Sequence, residues 1–343
     1  MKNLRFLCVL FFGLTVISAF GIQIFAPAPA IRPDKKSDVV SSFYPMYIAA
    51  AYLLQDIDTV RLSNLSEPQT GCLHDYTLTT GDMKTLSKAS AFVINGGGIE
   101  PFLNDVTAAY PDLTIIDAGR DLTGLSEESV SHDTTEDRHA HDHTKDTADH
   151  DEPESESVHA HDHHHRESEG NAHYWMSIPC YEEQVRAIRD GLTALLSHDP
   201  KAAKQVQANA AAYLRRLEAL RDEQESLRQA LSGENVILFH EAYEYVAADY
   251  GMNTVYLLDL DEERQVSAGE VADVIRIINE KNVSLILAEP KYGREMGELV
   301  SSQTGATVLY PDTIVRGKKT DQANAYLKRM RHNIDLLRNY QTE

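Results

Sequence analysis

From residue 38 onward, short apolar runs alternate with longer tracts whose apolar residues recur at helical spacing. The runs DVVSSF, TVRLSNL, AFVINGGG and LTIIDA alternate with helices predicted over 46–54, 82–90 and 99–109. After an interruption the pattern returns as NVILF, TVYLL, VSLILA and ATVLY, interleaved with helices predicted over 242–250, 267–280, 294–304 and 321–340. Apolar runs this short and continuous read as strands buried on both faces, and strand followed by helix, repeated, predicts a parallel sheet covered by helices.

Two further helical tracts, 181–197 and 200–231, separate the blocks. The second opens with Asp199 as its cap and Pro200 in its first turn, and Gly233 closes it. At 1.5 Å per residue such a helix spans about 48 Å, enough to run across two domains. The predicted fold is therefore α/β: two similar lobes, each a mostly parallel sheet covered by helices, joined by one long helix, with a ligand cleft between the lobes. The expected organisation is an export signal or anchor at 1–30, an N-terminal lobe at 31–198, a connecting helix at 199–232 and a C-terminal lobe at 233–343. The halves show no clear residue-by-residue repeat.

The interruption, about 120–171, changes the picture. Ten of the fifteen histidines fall between His132 and His165, among them His139, His141, His143, His150, His159, His161, His163, His164 and His165. From 126 to 170, fifteen acidic residues face Arg138, Lys145 and Arg166, giving −12 and leaving −9 of the total −21 for the rest of the chain. No core could bury such a segment. Alternating imidazole and carboxylate supplies borderline donors suited to Zn, Ni or Cu, while many equivalent weak partners give no fixed geometry. The segment reads as an accessory, weak metal collector, or as a solvated acidic loop whose histidines are incidental. The overall acidity argues against nucleic acid, which needs clustered Lys and Arg, and favours a cationic ligand.

The first thirty residues put Lys2 and Arg5 before an apolar, charge-free run at 6–25, followed by small residues and prolines. That is the pattern of an export signal, with a cut after Ala28 or Ala30, and it is also long enough to remain as an anchor. Cys8 lies too early for the lipid-accepting cysteine of a cleavage junction, so usual lipoprotein processing is not expected. Cys72 and Cys180 then remain, as a disulfide or as free thiols.

An ordered metal site must come from the isolated histidines. His240 follows the strand NVILF and Glu289 follows VSLILA, which places both at the carboxyl ends of parallel strands, where ligands bind in open α/β sheets. His74 lies in the loop after the second strand of the first lobe, and His173 stands where ordered chain resumes after the insertion. His198 and His332 sit in helical, charged surroundings and read as surface residues. Tyr44, Tyr174 and Trp175 are candidates to line the cleft or simply to pack beside it. Three imidazoles and a carboxylate suit tetrahedral Zn²⁺, whereas a manganese site would carry more oxygen donors. The H-E-x-x-H helix and G-x-S-x-G are absent, no phosphate-binding glycine loop is evident, and no separate catalytic base is evident, which weighs against an enzyme.

On SSFYPMY, GCLHDYTLTTGD, AFVINGGGIEPFL, HDPKAAKQVQANAAAYLRRL, FHEAYEYVAADYGM and LILAEPKYG, the chain resembles the substrate-binding proteins of bacterial ABC-type zinc importers over about 38–340. The resemblance implies that His74, His173 and His240 ligate the metal, with Glu289 or water as the fourth ligand. Manganese-type relatives generally have a carboxylate where His240 stands. A His- and acid-rich insertion is a feature of many zinc-type members. Where the family shows D-P-H-x-W, this chain reads Asn171, Ala172, His173, Tyr174, Trp175; Cys72 and Leu73 precede His74; and Val266 and Ser267 replace a Pro and Ser. These departures leave the ligands intact and bear on their outer-shell orientation, and so on affinity.

The function expected is a monomeric, exported receptor, in the periplasm or at the outer face of the membrane, that binds Zn²⁺ and delivers it to an ABC permease with its ATPase. The alternatives are an extracytoplasmic metal chaperone or buffer without a transporter, a zinc hydrolase, and Mn as the metal.

Overall fold

The computed structural model describes residues 36–66, 76–125, 170–258, 260, 266–317 and 323–342. The described residues from Ser37 onward form one compact unit. Within it β1 (Ser37–Ser41), β2 (Val60–Asn64), β3 (Ala91–Ile94) and β4 (Thr114–Asp117) make one parallel sheet in the order β2-β1-β3-β4. A second parallel sheet, from β5 (Asn235–Leu238), β6 (Asn253–Leu257), β7 (Leu285–Leu287) and β8 (Thr307–Leu309), has the matching order β6-β5-β7-β8. All eight predicted strands are present, and the two-lobe α/β architecture stands.

Helices α1 (Tyr44–Leu53), α2 (Thr80–Leu86) and α3 (Leu103–Ala109) cover the first sheet, with α4 (Ile178–Leu195) packed on β4. Around the second sheet lie α6 (Tyr243–Tyr250), α7 (Ala268–Lys281) and α8 (Arg294–Thr304). The long helix α5 (Pro200–Leu231) has its predicted limits, and the Asp199 side chain accepts from the Ala202 amide as its cap. It packs on α1, α4 and α6, touching both lobes, and the final helix α9 (Ala325–Thr342) lies against α5 and α1.

Local chemistry moved several predicted boundaries. Helix α2 starts at Thr80, two residues before the predicted start, because Thr79 and Asp82 form a reciprocal capping box. The helix predicted over 99–109 begins only at Leu103. Its expected first turn, 99–102, is not helical: it follows a glycine turn, where Gly96, Gly97 and Gly98 take φ of 80°, 65° and 81°, and Glu100 within it accepts the Asn95 and Gly96 amides.

The main core runs from β1 through α4 and α5 into β5, β7 and α9. Its centre is aromatic: Tyr181 stacks on Tyr326 with centroids 3.6 Å apart, and Tyr213 stacks on Tyr52 at 4.0 Å. Trp175 is fully buried, meets Phe43 edge-on at 5.0 Å and donates its indole N–H to the Thr313 carbonyl at 2.8 Å. Truncating a ring so enclosed costs about 3–5 kcal/mol. Tyr44, Tyr174 and Trp175 are thus packing residues, each 2% exposed or less, rather than lining of an open cleft. His198 and His332 are exposed, as expected. Among the described residues no helix is long and apolar enough to cross a membrane.

Candidate metal centre

Strand register explains how two distant residues meet. Leu238 of β5 pairs with Leu287 of β7, and the Phe239 amide donates to the Leu287 carbonyl at 2.8 Å, so one step further on His240 opposes Glu289. Both lie beyond the carboxyl ends of neighbouring strands at the switch point of the sheet, where chain connections diverge and leave a crevice. His240 Nε2 is 4.0 Å from Glu289 Oε2, and each residue is 6% exposed. His240 Nδ1 accepts the Ala242 amide at 3.0 Å, so the neutral ring carries its proton on Nε2, facing Glu289. For Nε2 to hold a metal, the ring proton would have to move to Nδ1, and the Ala242 amide would lose its acceptor.

Glu289 is shared. Its other oxygen, Oε1, lies 3.5 Å from Arg316 Nη1, while Arg316 Nη2 donates to the Tyr292 hydroxyl at 2.8 Å and the guanidinium sits over the Tyr292 ring at 5.4 Å. The attraction between such charges is on the order of 4 kcal/mol at an effective dielectric of 20, before desolvation. Part of the Glu289 charge is therefore balanced by the protein itself. Sequence reading missed Arg316, which stands in IVRGKK with no motif to mark it.

His173 reaches the same place from the first lobe. It precedes a single 3₁₀ turn, Tyr174–Met176, and is 1% exposed. Its Nδ1 faces Asn171 Oδ1 at 2.9 Å and Glu241 Oε1 at 3.4 Å. Two oxygens on Nδ1 place the proton there and make Nε2 the lone-pair nitrogen, the usual outer-shell arrangement of a ligating histidine. The His173 and His240 rings stand edge to face with centroids 5.3 Å apart. Two nitrogens bound to one tetrahedral zinc at 2.0–2.1 Å would be roughly 3.4 Å apart, which rings at that separation can reach.

A first-lobe scaffold fixes this segment. Asn95, following β3, donates to the Ala172 carbonyl at 2.9 Å and accepts from Gln184 at 2.7 Å. Beneath it the buried Glu100 carboxylate accepts from Ser42 Oγ, the Asn95 amide and the Gly96 amide at 2.7, 2.7 and 3.1 Å. Burial outweighs these donors and raises its pKa to about 7. Gly97 is required because a Cβ there would lie 2.5 Å from the Tyr174 hydroxyl. NGGG thus has a structural use, packing the 3₁₀ turn that follows His173. Cys180 is a free, half-buried thiol with its pKa raised first by burial.

The structure brings His173, His240 and Glu289 together as a chain of neighbours. Among the described residues no group of three or more His, Cys, Asp and Glu closes into a metal-binding cluster. His74 lies outside the described residues, as do Cys72 and the accessory histidines His139, His141, His143, His150, His159, His161, His163, His164 and His165. The donor set present, imidazole nitrogen with one carboxylate, fits a borderline divalent cation better than a hard one.

Known proteins resemble this chain over most of its length. A zinc-binding protein AdcA of Streptococcus pyogenes serotype M3 is 25% identical over 334 residues, covering 95% of this chain and 60% of its own length. The chain thus spans 60% of that relative. The manganese-binding lipoprotein MntA of Halalkalibacterium halodurans is 23% identical over 268 residues, 76% of this chain and 75% of that protein. The crystal structure of Zn(II)-bound AdcA from Streptococcus pneumoniae shares the fold, with a TM-score of 0.68 and 20% identity over 90% of this chain and 58% of that one. The family model described as zinc-uptake complex component A, periplasmic, matches residues 39–340. The chain belongs to that family.

Proposed function

We propose that this protein is an extracytoplasmic receptor that captures Zn²⁺ between His173, His240, Glu289 and His74 and delivers it to an ABC permease with its ATPase. The observation carrying this reading is the convergence of His173 and His240, from different lobes, into one buried edge-to-face pair beside Glu289. A cation held by ligands from both lobes would tie them together, giving a partner a loaded form to recognise. We take the receptor to be a monomer, exported and held in the periplasm or at the outer membrane face. MntA is named a lipoprotein, contrary to the expectation of no lipid attachment drawn from Cys8.

In this reading the histidine-rich insertion collects zinc weakly. Its ligation needs neutral imidazole and fades as pH falls toward the ordinary histidine pKa of about 6.5. The test is zinc titration of the wild type, a chain lacking 132–165, and His240→Ala. The deletion should lower the number of weak sites and leave the tightest site within about twofold; His240→Ala should weaken that site by at least about 100-fold, above the range of outer-shell losses. Loss of the tight site in the deletion, or its survival in His240→Ala, would reject the assignment. Manganese binding tighter than zinc would transfer it to the metal of the MntA relative. A chaperone or buffer without a transporter would be indicated by the absence of neighbouring permease and ATPase genes.

A further inference from the structure

Asn171 occupies a junction of three parts of the molecule. Its backbone N–H donates to the Leu125 carbonyl at 3.0 Å, pinning the two ends of the histidine-rich insertion together. Its side-chain oxygen accepts from the backbone amide and from Nδ1 of His173, at 3.0 and 2.9 Å. Its side-chain nitrogen points the other way, donating to the Glu241 carbonyl and to Glu244 Oε2, both at 2.8 Å. The Tyr245 hydroxyl closes the junction by donating to the Asn171 carbonyl at 2.7 Å. Glu241, Glu244 and Tyr245 follow directly on His240 and belong to the second lobe.

The amide is used on both sides. A carboxylate here would accept from His173 at least as well, yet it has no proton for the Glu241 carbonyl and would set an anion against Glu244 at a site 7% exposed. A primary amide of this length offers an acceptor and two donors at once. Glutamine is a methylene longer and would displace one set of contacts.

We propose that Asn171 is a positioning residue that couples the placement of the second lobe to the orientation of His173. His173 is held with Nε2 toward the cleft while Glu241 and Glu244 hold the far end of the amide. If the second lobe moves away, the amide loses its acceptors, turns, and releases the ring, so affinity for the cargo falls in step with opening. The inference rests on the cleft being the metal site, and it adds how the protein lets its cargo go.

The experiment uses the full chain, with two readouts. Zinc affinity is measured by competition for wild type, Asn171→Asp, Glu244→Gln and the double variant. Asn171→Asp should lose about tenfold, the low end for an outer-shell change. Glu244→Gln should stay within about twofold, since its amide oxygen still accepts. The double variant should recover most of the loss, because the amide introduced by Glu244→Gln can donate to the carboxylate introduced by Asn171→Asp. The second readout is the ¹⁵N tautomer signature of His173 in metal-free wild type and Glu244→Ala. A single Nδ1–H tautomer that becomes mixed in Glu244→Ala supports the coupling. Asn171→Asp binding zinc as tightly as wild type, a loss that Glu244→Gln does not relieve, or an unchanged tautomer in Glu244→Ala would each overturn it. A wild type that takes up no zinc would instead reject the proposed function, and the metal-free tautomer comparison would still decide the coupling.

Discussion

Two buried glutamates follow the third strands of two sheets with the same strand order, and their surroundings differ. Glu100, after β3, is 3% exposed and is met by one hydroxyl and two backbone amides of its own lobe. Glu289, after β7, is 6% exposed and lies between the His240 ring and the Arg316 guanidinium. The first holds a glycine turn and, through Asn95, the segment carrying His173. The second meets an imidazole and a guanidinium, and is the one proposed as a metal ligand. One topology thus supplies two strand ends, and the neighbouring side chains give the two carboxylates different surroundings.

That contrast can be broken most strongly at Glu100. Its folded pKa is raised from 4.5 to about 7, so between these values the folded chain binds more protons than the unfolded one. Stability from this group is therefore fully present below about pH 4.5 and is lost as pH rises through about 7, by about 3 kcal/mol at most. Urea midpoints of the metal-free wild type should fall over that window relative to Glu100→Gln, which has no such titration. Parallel profiles would remove Glu100 from its role as a desolvated acid.

Glu289→Ala should act on metal binding instead. Zinc affinity should drop about tenfold, as for the loss of an outer-shell or weak ligand. Affinity unchanged by competition titration would give the fourth position to water. The smallest expected effect is at Arg316. Replacing it by Gln leaves the Glu289 carboxylate less balanced and more available to a hard cation, so manganese affinity should rise about threefold to tenfold, with a smaller rise for zinc. An equal change for both metals would mean that Arg316 acts on folding rather than on the donor set.

Much of this was legible in the chain. Continuous runs such as VILF and LILA had to be strands buried on both faces, and the Asp199-Pro200 start located α5 without any tertiary information. The placement of His240 and Glu289 just past two such strands was legible for the same reason. The partners were not. Arg316 reaches Glu289 from after β8, and Glu244 reaches Asn171 across the lobes, so neither leaves a local periodicity to read. Asn171, which in sequence is only a departure from the family pattern two residues before His173, uses both ends of its amide in the fold.

By itself the sequence determined the alternation of strand and helix, the long connecting helix, and a chemistry of imidazole and carboxylate, because periodicity, capping and donor type are local properties. Only the tertiary structure decided which of the described histidines and acids stand together, which glutamate is met by its own lobe's amides and which by His240 and Arg316, and what bonds His173 Nδ1. Those outcomes depend on strand register and on contacts between residues far apart in the chain, and burial gives each of them its energetic weight.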